Sequence, residues 1–313
     1  MRVNNSLQRQ NSSKPKFSVA IQTPMYQKLV NDTLGDPERA RRFVASISSA
    51  VAVNPALQEC DAGTVLTAAL LGESLNLSPS PQLGQYYLVP YWNKKKGCND
   101  AQFQLGYKGY VQLALRSGYY KHLNVIAVKA GEMVRFDPLT EDVEFRMIED
   151  EEERENAATV GYLATFEYLN GFRKTIYWSK DKMLAHADKY SPAFSKGGQT
   201  IKRGNVTYKK VSFADYEAGN YPKQDEWLYS SFWYKNFDAM AFKTMLRQLI
   251  SKWGIMSIDL QTAFEQDTVV ERGEDYVEAA EIQFQQPEAI EEPEEPAAEP
   301  AAPDEGQVSL NDI

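Results

Sequence analysis

The sequence predicts an α+β fold, in which antiparallel hairpins and separate helices form one body between two polar ends. Three observations predict it. Apolar residues recur at helical spacing near both ends of the central region, whereas the segments between them alternate as strands do. Turn sequences separate two pairs of strands, as in antiparallel hairpins. The 313 residues are 43% hydrophobic and 12% aromatic, which supports a substantial buried core.

The first elements are predicted to be an arm and two helical regions. Residues 1–22 are polar and aperiodic, so we predict a disordered arm. The pattern is helical over residues 24–54, with Asp36 as an N-cap and Pro37 in the first turn that follows it. A further helix is predicted over residues 61–75, before two prolines interrupt the pattern.

A hairpin and a helix are predicted next. Strands at 85–91 and 101–105 flank the turn-like residues 92–97, so the two strands are expected to pair. Residues 107–117 have helical periodicity, and Gly118 follows as the predicted C-terminal cap in the left-handed conformation.

The middle of the chain is predicted to be rich in strands. Alternation predicts strands over residues 121–129, 134–136, 143–147, 159–169 and 172–178. The last two are joined by Asn170-Gly171, the strongest short-range signal of a hairpin. The acidic run 149–155 is expected to form a loop.

The remaining residues predict the domain limits. A short helix is expected over 180–189 and a long one over 226–252, whereas residues 190–225 carry no clear pattern. Beyond Phe264 the chain is acidic and rich in Pro, Glu and Ala, which predicts disorder. The expected division is a disordered arm (1–22), a folded domain (23–264) and a disordered tail (265–313).

Charge is distributed unevenly along the chain. The net charge is −9, but residues 265–313 hold 16 acidic residues and one basic residue, which leaves residues 1–264 with 33 basic and 27 acidic residues. The folded domain can therefore face an anionic partner although the whole chain is acidic. Two cysteines, no secretory signal and no apolar run of about 20 residues predict a cytoplasmic protein that does not enter the membrane.

Motifs for covalent catalysis are missing from the sequence. There is no G-x-x-x-x-G-K-[ST] loop for ATP and no G-x-S-x-G nucleophile motif. His122 and His186 are the only histidines, so a zinc cluster is not predicted. We predict no catalytic residue, no metal ligand and no cofactor, although a divalent ion such as Mg²⁺ could assist. A two-metal nuclease lacks support but stays an alternative.

The segment around the predicted helix 107–117 combines cations with aromatic rings. Lys108, Gln112 and Arg116 recur at i, i+4 and i+8 and form one polar stripe, with Tyr107 beside it. Gly106 and Gly109 would let another backbone, or a sugar-phosphate chain, approach. Such a surface suits a single strand of nucleic acid, whose phosphates meet the cations while its bases stack on the rings. The alternative is an ordinary amphipathic helix with a solvated face.

Further candidates lie on three other segments. Lys243 and Arg247 share one helix face about 6 Å apart along the axis, close to the spacing of neighbouring phosphates. Trp233 could stack on a base, but a core position is the alternative. The basic side chains of a predicted turn and of the unassigned region are either nucleic-acid contacts or solvated charges; they are Lys94, Lys95, Lys96, Lys202 and Arg203.

Three blocks carry a resemblance to a known family. QLGQYYLVPYWNKKKG, AQFQLGYKGYVQLALRSGYY and NFDAMAFKTMLRQLISKWGI resemble, in order and approximate spacing, the RecT family of phage and prophage single-strand annealing proteins. The resemblance covers about residues 24–258, and residues 195–228 depart from it. It implies a small antiparallel sheet with a hairpin packed on helices, and it favours four cations on the two predicted helices as DNA contacts: Lys108, Arg116, Lys243 and Arg247.

The resemblance also implies an activity and partners. The expected function is ATP-independent binding of single-stranded DNA and annealing of complementary strands in homologous recombination. The expected partners are the annealed duplex, further copies of the chain in a filament or ring, an exonuclease that makes single strands, and a host single-strand binding protein. A passive coating protein is the alternative. The acidic tail is a solubilising appendage, a DNA mimic or, through residues 308–313, a docking motif for a partner.

Overall fold

A computed structural model describes residues 15–203, 206–272 and 276–278. Within these ranges the fold combines helices with small antiparallel sheets, which confirms the predicted class. The helices are α1 (Phe17–Ala20), α2 (Pro24–Leu34), α3 (Pro37–Val53), α4 (Ala62–Ser74), α5 (Tyr107–Arg116), α6 (Glu151–Asn156), α7 (Lys180–Tyr190), α8 (Phe213–Glu217), α9 (Phe232–Lys235), α10 (Phe237–Trp253) and α11 (Ile258–Arg272), with 3₁₀ helices at Pro55–Glu59 and Lys223–Tyr229. The strands are β1 (Tyr86–Asn93), β2 (Cys98–Leu105), β3 (Tyr120–Lys129), β4 (Met133–Phe136), β5 (Val143–Phe145), β6 (Thr159–Tyr168), β7 (Arg173–Ser179), β8 (Gln199–Arg203), β9 (Val206–Lys210) and β10 (Tyr276–Glu278).

The strands form separate antiparallel sheets. One sheet has the order β10-β1-β2 and another the order β3-β6-β7, while β4 pairs with β5 and β8 with β9. In the first hairpin Tyr86 pairs with Leu105 and Asn93 with Cys98. In the second, Gly161 pairs with Ser179 and a turn with Gly171 in the left-handed conformation (φ +85°) joins the strands. Both hairpins predicted from the turn sequences are therefore present.

Helices connect the two three-stranded sheets. Helix α4 packs on β1 and β2, and α11 packs on β2 and α5. Helix α10 packs on β3, β6 and β7 and also touches α5. Residues fully buried where these elements meet include Tyr110, Tyr162, Phe166, Leu249 and Ile250. Helices α5, α10 and α11 thus lie between the sheets and form one core with them.

Two boundaries differ from the sequence predictions in the N-terminal arm and the acidic run. The predicted arm 1–22 is wrong for its last residues, because Phe17 and Ile21 are each only 1% exposed and pack in the core; residues 1–14 lie outside the described part. The run 149–155 is not a loop throughout: α6 begins there because the Asp150 side chain accepts a hydrogen bond from Glu153 N, and acidic residues in a first turn favour the helix dipole.

The predicted long helix 226–252 is broken into pieces. The side chain of Ser231 caps α9, and that of Asn236 caps α10 by accepting a hydrogen bond from Ala239 N. Asn236 has φ −149°, which is not helical, so the axis cannot continue through it.

Helix α11 extends beyond the predicted end of the folded domain. It runs to Arg272, so the boundary at residue 264 falls inside it and disorder is wrong for residues 265–272. The helix forms because Leu260, Ala263 and Phe264 bury one face. The rest of the predicted tail, including 308–313, lies outside the described residues except for β10.

Candidate nucleic-acid interface

A cleft of about 1040 Å³ lies beside α10. Its walls come from α7, β8, α9, α10, α11 and neighbouring segments, and its cationic side chains are Lys182, Lys202, Lys210, Lys243, Arg247 and Lys252. Asp267 is the single carboxylate among the described lining residues. Aromatic rings at the cleft include Tyr91, Trp178, His186, Tyr190, Trp227, Phe232 and Trp233. This excess of cations favours an anionic ligand, and the rings offer surfaces for planar groups.

Lys243 and Arg247 lie on one face of α10, as predicted, and both line the cleft. Their side chains are only 14% and 17% exposed because they converge on Asp267. Lys243 Nζ donates to Asp267 Oδ1 at 2.9 Å, and Arg247 Nη1 lies 3.7 Å from Oδ2. No counter-ion was predicted for Lys243 and Arg247. Asp267 therefore neutralises more of their positive charge than the sequence indicated.

Asp267 was not among the candidates, because it lies in the acidic stretch that composition assigned to the tail. It is nevertheless 1% exposed, and it also accepts hydrogen bonds from Tyr110 Oη at 2.9 Å and Leu105 N at 3.2 Å. A signal was present: buried Leu260, Ala263 and Phe264 continue to Asp267 at the i, i+3, i+4, i+7 spacing of a helix face.

The part of the cleft lining that β7 and α7 provide carries aromatic residues that were not predicted from the sequence. The His186 ring lies 5.4 Å from that of Trp178 and 4.6 Å from that of Tyr190, and Lys182 Nζ lies 4.4 Å from the Trp178 ring. Tyr190 is 53% exposed. Burial, together with the charges of Arg247 and Lys189, lowers the pKa of His186 to about 4. This wall therefore presents a neutral imidazole near pH 7 beside cationic Lys182.

Two other predicted residues line the cleft in different settings. Lys202, on β8, is exposed. Trp233 is 6% exposed and packs against Phe194 and Phe237, so its ring occupies the core position that was the alternative. The side chain of Arg203 lies outside the described part of the structure.

The polar stripe of α5 forms as predicted but does not line the cleft. Lys108, Gln112 and Arg116 are exposed on one face of the helix. Arg116 Nη2 donates to Leu75 O at 2.8 Å and Nη1 donates to Asn76 O at 3.3 Å, where α4 ends. Arg116 therefore helps to satisfy the carbonyls at the end of α4.

The neighbours of the stripe also have structural contacts. Tyr107 is partly buried, and its ring lies 5.6 Å from that of Phe242. A Cβ on Gly106 or Gly109 would lie 2.1 Å from Gly84 O or Gln85 O, respectively. The backbone that approaches these two glycines is therefore the protein's own, not a sugar-phosphate chain.

The lysines of the first hairpin form a separate basic turn, away from the cleft lining. Lys94, Lys95 and Lys96 are exposed, and Lys96 Nζ donates to buried Asp100 at 2.9 Å. The Asn93 side chain accepts hydrogen bonds from Lys95 N and Lys96 N, which fixes the turn. The structure thus separates the predicted residues into a cleft group, the α5 stripe and this turn.

Two features define the class of this protein: a mixed fold of helices and small antiparallel sheets, and a cleft lined by cationic and aromatic side chains. The model of the RecT family matches residues 41–282. The uncharacterized protein YqaK of Bacillus subtilis (strain 168) is 36% identical over 290 residues, which cover 92% of this chain and 85% of YqaK. Protein RecT of Escherichia coli (strain K12) is 33% identical over 100 residues, which cover 31% of this chain and 37% of that protein.

The chain belongs to the RecT family, since the match spans more than half of its residues. Membership implies single-strand annealing in recombination. In the described ranges, no group of three or more His, Cys, Asp or Glu side chains is placed to hold a metal ion. The helices of the same ranges are each too short or too polar to cross a membrane.

Proposed function

We propose that the protein binds single-stranded DNA in the cleft beside α10 and anneals complementary strands without ATP. The observation that carries this proposal is the cleft itself, whose described lining contains six cationic side chains and several aromatic rings but a single carboxylate. Phosphates give single-strand binding its affinity, and rings that stack on bases tolerate any sequence. Family membership supports the same function.

The cleft supplies what annealing requires. Two strands repel each other through their phosphates, and Lys202, Lys243 and Lys252 would reduce that repulsion by neutralising one strand. Tyr190 and Trp178 would stack on bases and hold the strand extended. A second strand then tests its register by Watson–Crick pairing, which provides both specificity and driving force. No covalent step is required of the protein.

Two further surfaces are proposed to extend the path of the strand. The α5 stripe (Lys108, Gln112 and Arg116) and the basic turn (Lys94–Lys96) are exposed and cationic, but they do not line the cleft. In an oligomer, such surfaces on neighbouring copies would carry the strand from one cleft to the next. We propose a filament or ring of identical subunits that works with an exonuclease, and with a host single-strand binding protein as a further partner.

The deciding experiment mixes complementary oligonucleotides, one carrying a donor dye and one an acceptor, with the protein and no nucleotide. We expect energy transfer to rise faster than in protein-free strands, both with and without Mg²⁺. A passive coating protein would bind each strand but leave duplex formation unchanged or slower. A nuclease would shorten the labelled strands when Mg²⁺ or Mn²⁺ is added. Either of these two results would contradict the proposal.

A further inference from the structure

The carboxylate of Asp267 is held by donors from three different elements. Its Oδ1 atom accepts from Lys243 Nζ on α10 at 2.9 Å and from Leu105 N on β2 at 3.2 Å. Its Oδ2 atom accepts from Tyr110 Oη on α5 at 2.9 Å and lies 3.7 Å from Arg247 Nη1. Both oxygens therefore face one cation and one neutral donor, at the wall of the cleft.

This arrangement determines where the two cations point. Lys243 and Arg247 are one helical turn apart, and like charges at that spacing repel. Both side chains are long and flexible, so without a common counter-ion they would spread over many rotamers. An ammonium has three donor hydrogens, and Asp267 is the acceptor described for one of those on Lys243. The remaining hydrogens can reach a phosphate while the side chain stays ordered.

We propose that Asp267 is a positioning residue for strand binding: it fixes Lys243 and Arg247 along the cleft wall before a strand arrives. The inference rests on the proposed function, because it assumes that the cleft binds the strand. Preordered cations bind better, since less rotamer freedom has to be given up on binding. The contribution of Asp267 is thus indirect, through the two cations, and it does not touch the strand.

The opposite role would be that of a phosphate mimic that competes with the strand for the same cations. The contacts of Asp267 favour positioning. A competitor must leave when the strand binds, but Asp267 is 1% exposed and bonded to Tyr110 and Leu105. Its departure would break both of these buried hydrogen bonds, which is unfavourable. It is therefore a fixed part of the wall.

The first test is Tyr110→Phe, which loosens Asp267 without changing any charge. Tyr110 is fully buried and cannot contact a strand. We expect binding of a single-stranded oligonucleotide to weaken about three- to tenfold and to depend less steeply on salt, since the cations lose their order. The matched control is Tyr162→Phe, which removes a 2.6 Å hydrogen bond from a buried tyrosine to Asp238 in the first turn of the same helix, α10. The control should shift the melting temperature but leave the salt dependence unchanged.

The second test is Asp267→Asn, with Glu265→Gln as its control. Both variants remove one negative charge from α11, but Glu265 is exposed. Positioning predicts that Asp267→Asn binds more weakly than Glu265→Gln at every ionic strength, whereas a phosphate mimic predicts tighter binding. If Asp267→Asn does not fold, the affinity and salt dependence of Tyr110→Phe alone test the inference. Unchanged affinity and salt dependence in Tyr110→Phe, or tighter binding by Asp267→Asn, overturns the inference. A wild-type protein that binds no strand would instead overturn the proposed function.

Discussion

Lys202 and Lys252 reach the cleft from different elements, and both side chains are exposed. They are better probes of phosphate binding than Lys243, because removing one partner of a buried ion pair costs about 3–5 kcal/mol of stability. A weaker affinity of a Lys243→Ala protein would therefore reflect partial unfolding as well as the missing charge.

We predict that Lys202→Gln and Lys252→Gln each weaken DNA binding to a similar degree for all sequences. For each phosphate that the protein no longer neutralises, the slope of log K against log salt concentration should become shallower by about 0.7 for a single strand. Fluorescence anisotropy of a labelled oligonucleotide over a range of salt concentrations measures both quantities. The control is Lys28→Gln, an exposed lysine on α2 that does not line the cleft. Slopes equal to the wild-type slope would show that Lys202 and Lys252 do not contact phosphates of the bound strand.

His186 makes stability depend on pH. Its pKa is lowered from 6.5 to about 4 by burial and by the nearby charges of Arg247 and Lys189. Between these two pH values the unfolded chain binds more protons than the folded one, so the free energy of unfolding falls as the pH falls. We predict that the urea midpoint of the wild type decreases more between pH 7 and pH 5 than that of His186→Gln. Equal decreases would show that another group is responsible.

Helix α5 can pack in its position only because a glycine lies where its backbone approaches that of Gln85. Gly109 lies against the backbone of Gln85, and a Cβ there would come within 2.1 Å of its carbonyl oxygen. We predict that Gly109→Ala lowers the free energy of unfolding by about 3 kcal/mol, the upper part of the usual range for overpacking. Chemical denaturation measures the change. Gly197→Ala is the control, because a Cβ on Gly197 meets no atom within 4 Å; a similar decrease in both variants would contradict the explanation.

Elements with a local signal were predicted correctly, and the reason is physical. Asp36 accepts from Glu38 N and starts α3 as its N-cap, Gly118 follows α5 with φ +76°, and Gly171 turns the second hairpin. Each signal involves residues a few positions apart. The break at Asn236 was missed although its signal is also local, since the Asn236 side chain caps α10 by accepting a hydrogen bond from Ala239 N. The apolar periodicity on both sides of Asn236 had indicated one continuous helix.

The candidate site was predicted only in part, because its contacts join distant parts of the chain. The pairing of Lys243 with Arg247 follows from helical spacing, but Asp267 is 24 residues from Lys243 and 157 from Tyr110. Nothing local separates a cation that lines a cleft from one that caps a helix, as Arg116 does. Similarly, Trp178 and Tyr190 have no signature in the sequence, since their role depends on the wall that α7 and β7 form together.

For the molecule as a whole, the distribution of charge suggests how the C-terminal residues act. Residues 284–313 carry nine acidic residues and no basic one. Truncation after Gln283 retains α11 and Asp267, whereas truncation after Phe264 would remove part of the core. We predict that the protein ending at Gln283 binds single strands more tightly at low salt, and that the difference disappears near 1 M, where the Debye length is about 3 Å. An unchanged affinity at low salt would indicate a solubilising role only.

Three of the chain's five tryptophans, Trp178, Trp227 and Trp233, line the cleft, whereas Trp92 and Trp253 do not. Much of the intrinsic tryptophan fluorescence of the protein should therefore come from residues that line the proposed binding cleft. Nucleobases that come near these indoles should change their intensity or wavelength, so a titration can follow occupancy without any attached dye. The same signal in a protein with Trp92 and Trp253 replaced by Phe would report on that region alone.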